Sequence, residues 1–200
     1  ALISSNQTGT NMKLRHAFAA SMLTASMLAG QAVANTIDAN VSNDSIAADV
    51  EFGLNKENSL LFGAGILYSE EHSSSSTIGN VSIQAAETKA NTYHASIGAK
   101  LYAYSAPRSS NGAALAFGGS FYHVIPGLER VSAGGSIFYA PSVTSFDKTE
   151  RLYETNARIA YRVIQNADIY LGYRYLKVKH KRKFDTALEK GFHLGVRASF

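Results

Sequence analysis

His94 and Ser96 stand two residues apart on an alternating stretch, which puts both on one face of a strand. A histidine within reach of a serine is the minimum from which a base-activated hydroxyl nucleophile is built. Position weakens that chemistry, because the pair falls near the start of its strand and reads equally as two polar interior side chains. Asp147 with His72, His180 and His193 supplies the acid and imidazole types of a hydrolase, yet no paired-acid motif accompanies them. The histidines at 72, 94, 123, 180 and 193 show no ligand spacing, and cysteine is absent. No metal site, thiol chemistry or cofactor is therefore expected. Gly118-Gly119 and Gly134-Gly135 lack the context of a phosphate loop; inside strands such pairs allow close packing or bends. The strongest charge signal is the run of Lys177, Lys179, Lys181, Arg182 and Lys183, which beside an anionic surface attracts phosphates at about 1 kcal/mol per cation.

Elements must hold these groups, and composition narrows which. The 200 residues are 46% hydrophobic but only 17% charged, with 16 Gly, 3 Pro and no Trp. Disorder is excluded by the aromatic content. A nucleic-acid partner is disfavoured because a net charge of +4 is thin for that role. Residues 1–11 read as an upstream segment. Met12 to Ala34 reads as a secretory signal: Lys13 and Arg15, an apolar stretch, then Ala32-Val33-Ala34 as the cleavage pattern near Ala34. Export then leaves residues 35–200 as one domain. That signal segment carries two of the cations and no acid, so the basic balance owes much to it.

From residue 35 onward the apolar residues recur every second position, the signature of half-buried strands. Tyr93, Ala95, Ile97, Ala99 and Leu101 share one face, opposite His94, Ser96, Gly98 and Lys100. The same split puts Asp38, Asp49, Glu51, Lys100, Arg130, Glu154, Arg158, Arg162, Asp168, Arg174 and Arg197 on the face opposite the apolar series. A soluble β-sandwich also alternates, but runs of about 10 residues match strands tilted across a bilayer. Charge confined to one face matches a barrel whose lumen tolerates it while its outer wall meets lipid, where a central Arg or Lys costs roughly 2–4 kcal/mol. The fold expected is an all-β, transmembrane, antiparallel up-and-down β-barrel. Short turns at one end and longer loops at the other favour ten strands, at 36–42, 45–54, 59–69, 78–86, 92–104, 113–124, 130–140, 151–163, 168–177 and 191–200. Eight is the alternative. Tyr68, Tyr93, Tyr139, Tyr153, Tyr161, Tyr175 and Phe192 fall near strand ends on the outward series, as interfacial girdles require. The terminal Phe200 behind an alternating strand is the kind of signal that outer-membrane barrel-assembly machinery reads.

Three stretches carry a family likeness: Glu154 to Tyr161 (ETNARIAY), Leu171 to Leu176 (LGYRYL) and Gly195 to Phe200 (GVRASF). In order and spacing they resemble the YfaZ family of small bacterial outer-membrane proteins, and Ala116 to Gly119 and Ser136 to Pro141 extend the likeness. That resemblance implies a Gram-negative outer-membrane barrel and brings no catalytic residue with it. The function expected is structural or surface-interacting, without enzymatic activity, in a monomer whose partners are membrane lipid, lipopolysaccharide and the assembly machinery. Asp38, Asp49 and Glu51 are expected to face Arg158, Arg162, Arg174 and Arg197 across the seam, near Glu154. A narrow channel, its excess arginine favouring small anions, is the runner-up. A barrel enzyme acting on lipid A or peptides, with His94 and Ser96 resembling the His-x-Ser pair of lipid A deacylases, is a distant third.

Overall fold

The computed structural model describes residues 35–55, 57–71, 74–105, 111–180 and 185–200. The chain runs through β1 (Asn35–Ser42), β2 (Ser45–Gly53), β3 (Leu60–Glu71), β4 (Ser74–Lys89), β5 (Tyr93–Ser105), β6 (Gly112–Val124) and β7 (Val131–Ala140). It continues as the three-residue β8 (Ser145–Asp147), then β9 (Thr149–Ile164), β10 (Ala167–His180) and β11 (Thr186–Ser199). Each long strand pairs antiparallel with its neighbours in sequence, β7 joining β9 past the short β8. β1 pairs with β11, Asp38 opposite Arg197, and this seam closes ten long strands into a ring. Closure gives every spanning strand two partners, which a hydrocarbon solvent demands because it offers the backbone no hydrogen bonds.

Turn chemistry sets one end of the barrel, the end where β1 starts and β11 finishes. Asn55 Oδ1 accepts from the amides of Ser59 (2.9 Å) and Leu60 (3.2 Å), closing the β2–β3 turn. Asn58 and Asn91 adopt the left-handed φ of 51° and 56° that tight turns need and asparagine tolerates. At the opposite, loop end, β7 breaks at Pro141, turns through Ser142–Thr144, and β8 takes over the pairing with Gly112 to Ala114 of β6. Thr144 Oγ1 holds that break by donating to the Leu115 carbonyl at 2.7 Å.

Alternation assigns the two faces. Ile97 is 71% exposed, Phe192 69% and Ile159 60%, alongside Phe117, Phe121, Ile137, Ile169, Leu171 and Leu194 around the wall. An apolar surface this continuous is unfavourable in water and matched to acyl chains. Aromatic residues rim it: Tyr93 stacks on Phe121 near the terminal end, and Tyr153–Tyr175 and Tyr173–Phe192 meet edge-on near the loop end.

Inside, the two halves differ. Toward the loop end, Leu67, Ile78, Tyr104, Ala114, Leu152, Leu176, Val178 and Leu188 are buried in one packed cluster. Toward the terminal end the interior is polar and encloses a cavity of about 160 Å³.

Among the described residues ten long strands form the barrel, not eight, and most of their bounds lie within two residues of those expected. Two expected loops are strand instead, and one short strand is new. The long loop expected over 70–77 is mostly strand, because β3 and β4 zip up to the Glu71–Ser74 pair. The long loop expected over 177–191 is likewise strand at both sides, β10 reaching His180 and β11 starting at Thr186. β8 was not anticipated, since three residues are too few to show a period. The expected segments 1–11 and 12–34, His72, Lys181, Arg182 and Lys183 lie outside the described residues.

Candidate functional site

The interior network is built from inward positions of β1, β2, β5, β6, β7, β9, β10 and β11. Asp38 on β1 accepts from Arg158 Nη1 of β9 at 3.1 Å and from the Tyr170 hydroxyl of β10. The Arg158 guanidinium lies 4.2 Å from the Tyr122 ring centre and 5.1 Å from that of Tyr170, a flat cation held between two aromatic faces. One layer nearer the loop end, Glu154 accepts from Lys100 Nζ at 3.1 Å and from the Tyr102 hydroxyl. Lys100 also lies over the rings of Tyr102 and Phe138. Beyond it, Arg174 Nη1 meets Glu189 Oε2 at 3.2 Å, and Ser45 Oγ donates to the other carboxylate oxygen at 2.7 Å. Arg197 and Glu51 meet at 3.5 Å nearer the terminal end. Most of these are desolvated pairs whose remaining lone pairs are taken by hydroxyls, the condition under which an interior ion pair is tolerated.

Two close approaches make room for the network. A Cβ on Gly195 would fall 2.3 Å from the Tyr170 ring that reaches Asp38, and one on Gly65 would fall 1.8 Å from Asp49 Oδ1. Gly118 and Gly134 admit the opposing strand itself: a Cβ there would lie 1.9 Å from the Ile137 carbonyl oxygen and 2.0 Å from that of Phe121. They are close-packing glycines rather than a phosphate loop.

Of the residues expected in the lumen, Asp38, Asp49, Glu51, Lys100, Glu154, Arg158, Arg174 and Arg197 line its cavity. Asp49 Oδ1 accepts from Asn80 Nδ2 at 3.5 Å and lies within the field of Lys100 and Arg174. Arg162 does not join the network. It sits at the mouth, 3.9 Å from Asp168 and donating to Asn91 Oδ1 at 2.9 Å. Arg130 is exposed at a turn. Arginine is not in excess either: Asp38, Asp49, Glu51, Glu154 and Glu189 face Lys100, Arg158, Arg174 and Arg197. Glu189 escaped the sequence reading because it was placed in a loop.

His94 and Ser96 both face inward, yet they do not bond to each other. His94 Nδ1 pairs with Thr88 Oγ1 at 2.8 Å, while Ser96 Oγ donates to Gln84 Oε1 at 2.8 Å and pairs with Ser120 at 2.8 Å. A base that does not touch the hydroxyl does not activate it. His180 and His193 are buried on the inner face, each edge-on to a tyrosine, and no set of three or more metal-ligating side chains converges among the described residues.

At the loop end, Lys177 and Lys179 lie on β10 itself, on its outward face above Tyr173 and Tyr175. Lys179 is opposite Arg151 of β9, and Tyr175 is opposite Lys190 of β11. The result is a short basic row on the outer wall just above an aromatic girdle. Arg151 and Lys190 were not singled out from the sequence, because they join the row only through strand pairing. Acids temper it: Lys177 Nζ meets Asp185 at 2.7 Å and Lys179 Nζ meets Glu150 at 3.5 Å. The hydrogen bond from Lys177 holds the Asp185 carboxyl below the usual carboxylate range.

A closed ring with an apolar wall, aromatic rims and a charge-filled interior defines a membrane-spanning β-barrel of the outer-membrane type. A family model described as YfaZ precursor matches residues 12–200, and the chain belongs to that family. No curated protein matches it in sequence. Among solved structures, it is similar to the outer-membrane protease OmpT from Escherichia coli, at 10% identity and a TM-score of 0.49, covering 84% of this chain and 93% of that one. It is also similar to the outer-membrane channel DcaP of Acinetobacter baumannii, at 12% identity and a TM-score of 0.43, covering 82% of this chain and 54% of that one. Neisserial surface protein A matches at 15% identity and a TM-score of 0.40, covering 84% of this chain and 94% of that one. The chain thus spans about half the length of DcaP.

Proposed function

We propose that the protein is a plugged barrel of the Gram-negative outer membrane that acts through its outer surface, contacting lipopolysaccharide, rather than through a pore or a reaction. One observation carries the reading: the outward basic row of Arg151, Lys177, Lys179 and Lys190 above the girdle tyrosines, at the level where lipid phosphates lie. In this orientation the start of β1, the end of β11 and the short turns are periplasmic and the loop end faces outward, and Lys181, Arg182 and Lys183 follow Lys179 in sequence. Each exposed cation then adds on the order of 1 kcal/mol of attraction to an anionic surface.

The interior supports the plug. Toward its outer half, Leu67, Ile78, Leu152, Leu176, Val178 and Leu188 pack into an apolar cluster that narrows the path an ion would follow. Export by a signal cleaved near Ala34, and recognition of the Phe200 strand by the assembly machinery, complete the reading. The test is lipopolysaccharide binding by the folded barrel in detergent. Neutralising Lys177, Lys179, Lys181, Arg182 and Lys183 lowers affinity at least tenfold, and the loss shrinks as salt rises. Unchanged affinity overturns the reading.

A further inference from the structure

Among the described residues the interior sets the carboxylates of Asp38, Asp49, Glu51, Glu154 and Glu189 against four cations. Each cation has its own acid. Arg158 meets Asp38 at 3.1 Å, Lys100 meets Glu154 at 3.1 Å, Arg174 meets Glu189 at 3.2 Å and Arg197 meets Glu51 at 3.5 Å. Asp49 is the acid left over. Its hydrogen bond is with a neutral amide, Asn80 Nδ2 at 3.5 Å, a long contact that brings no charge. The fields of Lys100 and Arg174 reach it, but each of these cations is already held by a nearer carboxylate. The interior thus carries one acid more than it has cations to meet, where an uncompensated ion is costly.

The surroundings suit a positive guest. Asp49 lies over Gly65, where a Cβ would fall 1.8 Å from Oδ1, so no β3 side chain covers the carboxylate. It lines the cavity of about 160 Å³, room for about five waters at roughly 30 Å³ each. Asn80, Ser82 and Asn156 line the same cavity and offer neutral oxygens, the ligands that replace the hydration shell of an alkali cation. Asn156 Oδ1 is itself buried and accepts from no donor of the protein. The lining extends to Thr36 and His94, each the second residue of its strand, so the cavity reaches the terminal-end mouth by which an ion enters. We propose that this cavity binds one monovalent alkali cation against Asp49. The single leftover charge sets the valence, since a divalent ion would bring a positive excess beside Lys100 and Arg174.

The barrel is folded in uncharged detergent and unfolded by urea at mildly alkaline pH. The salt is sodium chloride, potassium chloride or the chloride of N-methylglucamine, a cation too bulky for the cavity. Ionic strength is held constant, so surface pairs are screened alike in all three. Replacing N-methylglucamine by sodium or potassium is expected to lower the wild-type unfolding constant about tenfold, because an ion bound only by the folded state stabilises it by mass action. Asp49→Asn, of the same shape without the charge, is expected to abolish that difference. Asp49→Ser serves as a second variant should the amide impede folding, which a heat-modifiability gel reports. A wild type indifferent to both alkali cations overturns the proposal, the leftover charge then being met by a proton. A difference that persists in a folded Asp49 variant overturns it too. No lipopolysaccharide is present, so the result is separate from that of the basic row.

Discussion

Asp38 accepts from Arg158 and Tyr170 together, so its removal strands two donors in the interior. Arg158 is then a buried, unpaired cation, a change that costs about 3–5 kcal/mol. Asp38→Ala should lower stability by that order in urea unfolding, while Asp38→Ala combined with Arg158→Met should recover most of the loss. The close glycines make a second residue-level prediction. Gly118→Ala places a methyl against the Ile137 carbonyl, a backbone atom that cannot rotate away, and should destabilise by about 1–3 kcal/mol. An unchanged urea midpoint would contradict the packing described. At this scale the sequence was partly legible. Alternation put Asp38, Lys100 and Glu154 on the inner face, because a strand leaves a side chain only two directions. It gave the acids and arginines that could meet across the seam but not which pairs with which, since that depends on strand stagger around the ring. Glu189 was hidden for a different reason. It falls in the stretch read as a loop, although the period-two count run backward from Phe192 already puts it on the inner face; phase is lost one residue further on, at the register shift that leaves Leu188 buried as well.

Strands β9 to β11 carry the outer basic row, and their pairing explains why a sequence run shows only part of it. Arg151 and Lys190 are 28 and 11 residues from Lys179 along the chain, yet strand pairing draws them together. Asp185 and Glu150 hold Lys177 and Lys179 at rest. Asp185→Asn and Glu150→Gln should each tighten lipopolysaccharide binding several-fold by freeing a cation, measurable by titration at low salt. Acid should act in the same direction at Asp185. Its carboxyl titrates below the usual range when paired, so the ion pair is present at neutral pH and is lost only as pH falls through that lowered range. The tight Asn43-Asp44 hairpin was visible in the sequence as an anomaly of loop length. The notch it leaves in the rim was not, because that is defined by how far β3 and β11 overshoot the hairpin. β8 was equally illegible, a three-residue continuation of β7 after a turn.

For the whole molecule, the sequence disclosed the architecture because one rule applies to every strand: apolar residues out, ionised residues in. It did not disclose the apolar packing of the outer half, since Leu67, Leu152 and Leu176 face inward among polar neighbours and break that rule there. The plug predicts that the purified barrel in planar bilayers gives no discrete conductance steps, whereas steps would mean a continuous polar path. The account's central claim is the direction each face points, and spin labels read it directly. Labels at Ile97 and Ile159, the exposed series, should be relaxed by oxygen dissolved in the bilayer and shielded from a water-soluble nickel complex, with labels at Ser82 and Ser136 of the lumen shielded from bilayer oxygen. Labels at Ile97 and Ile159 that respond to nickel instead of oxygen would contradict it.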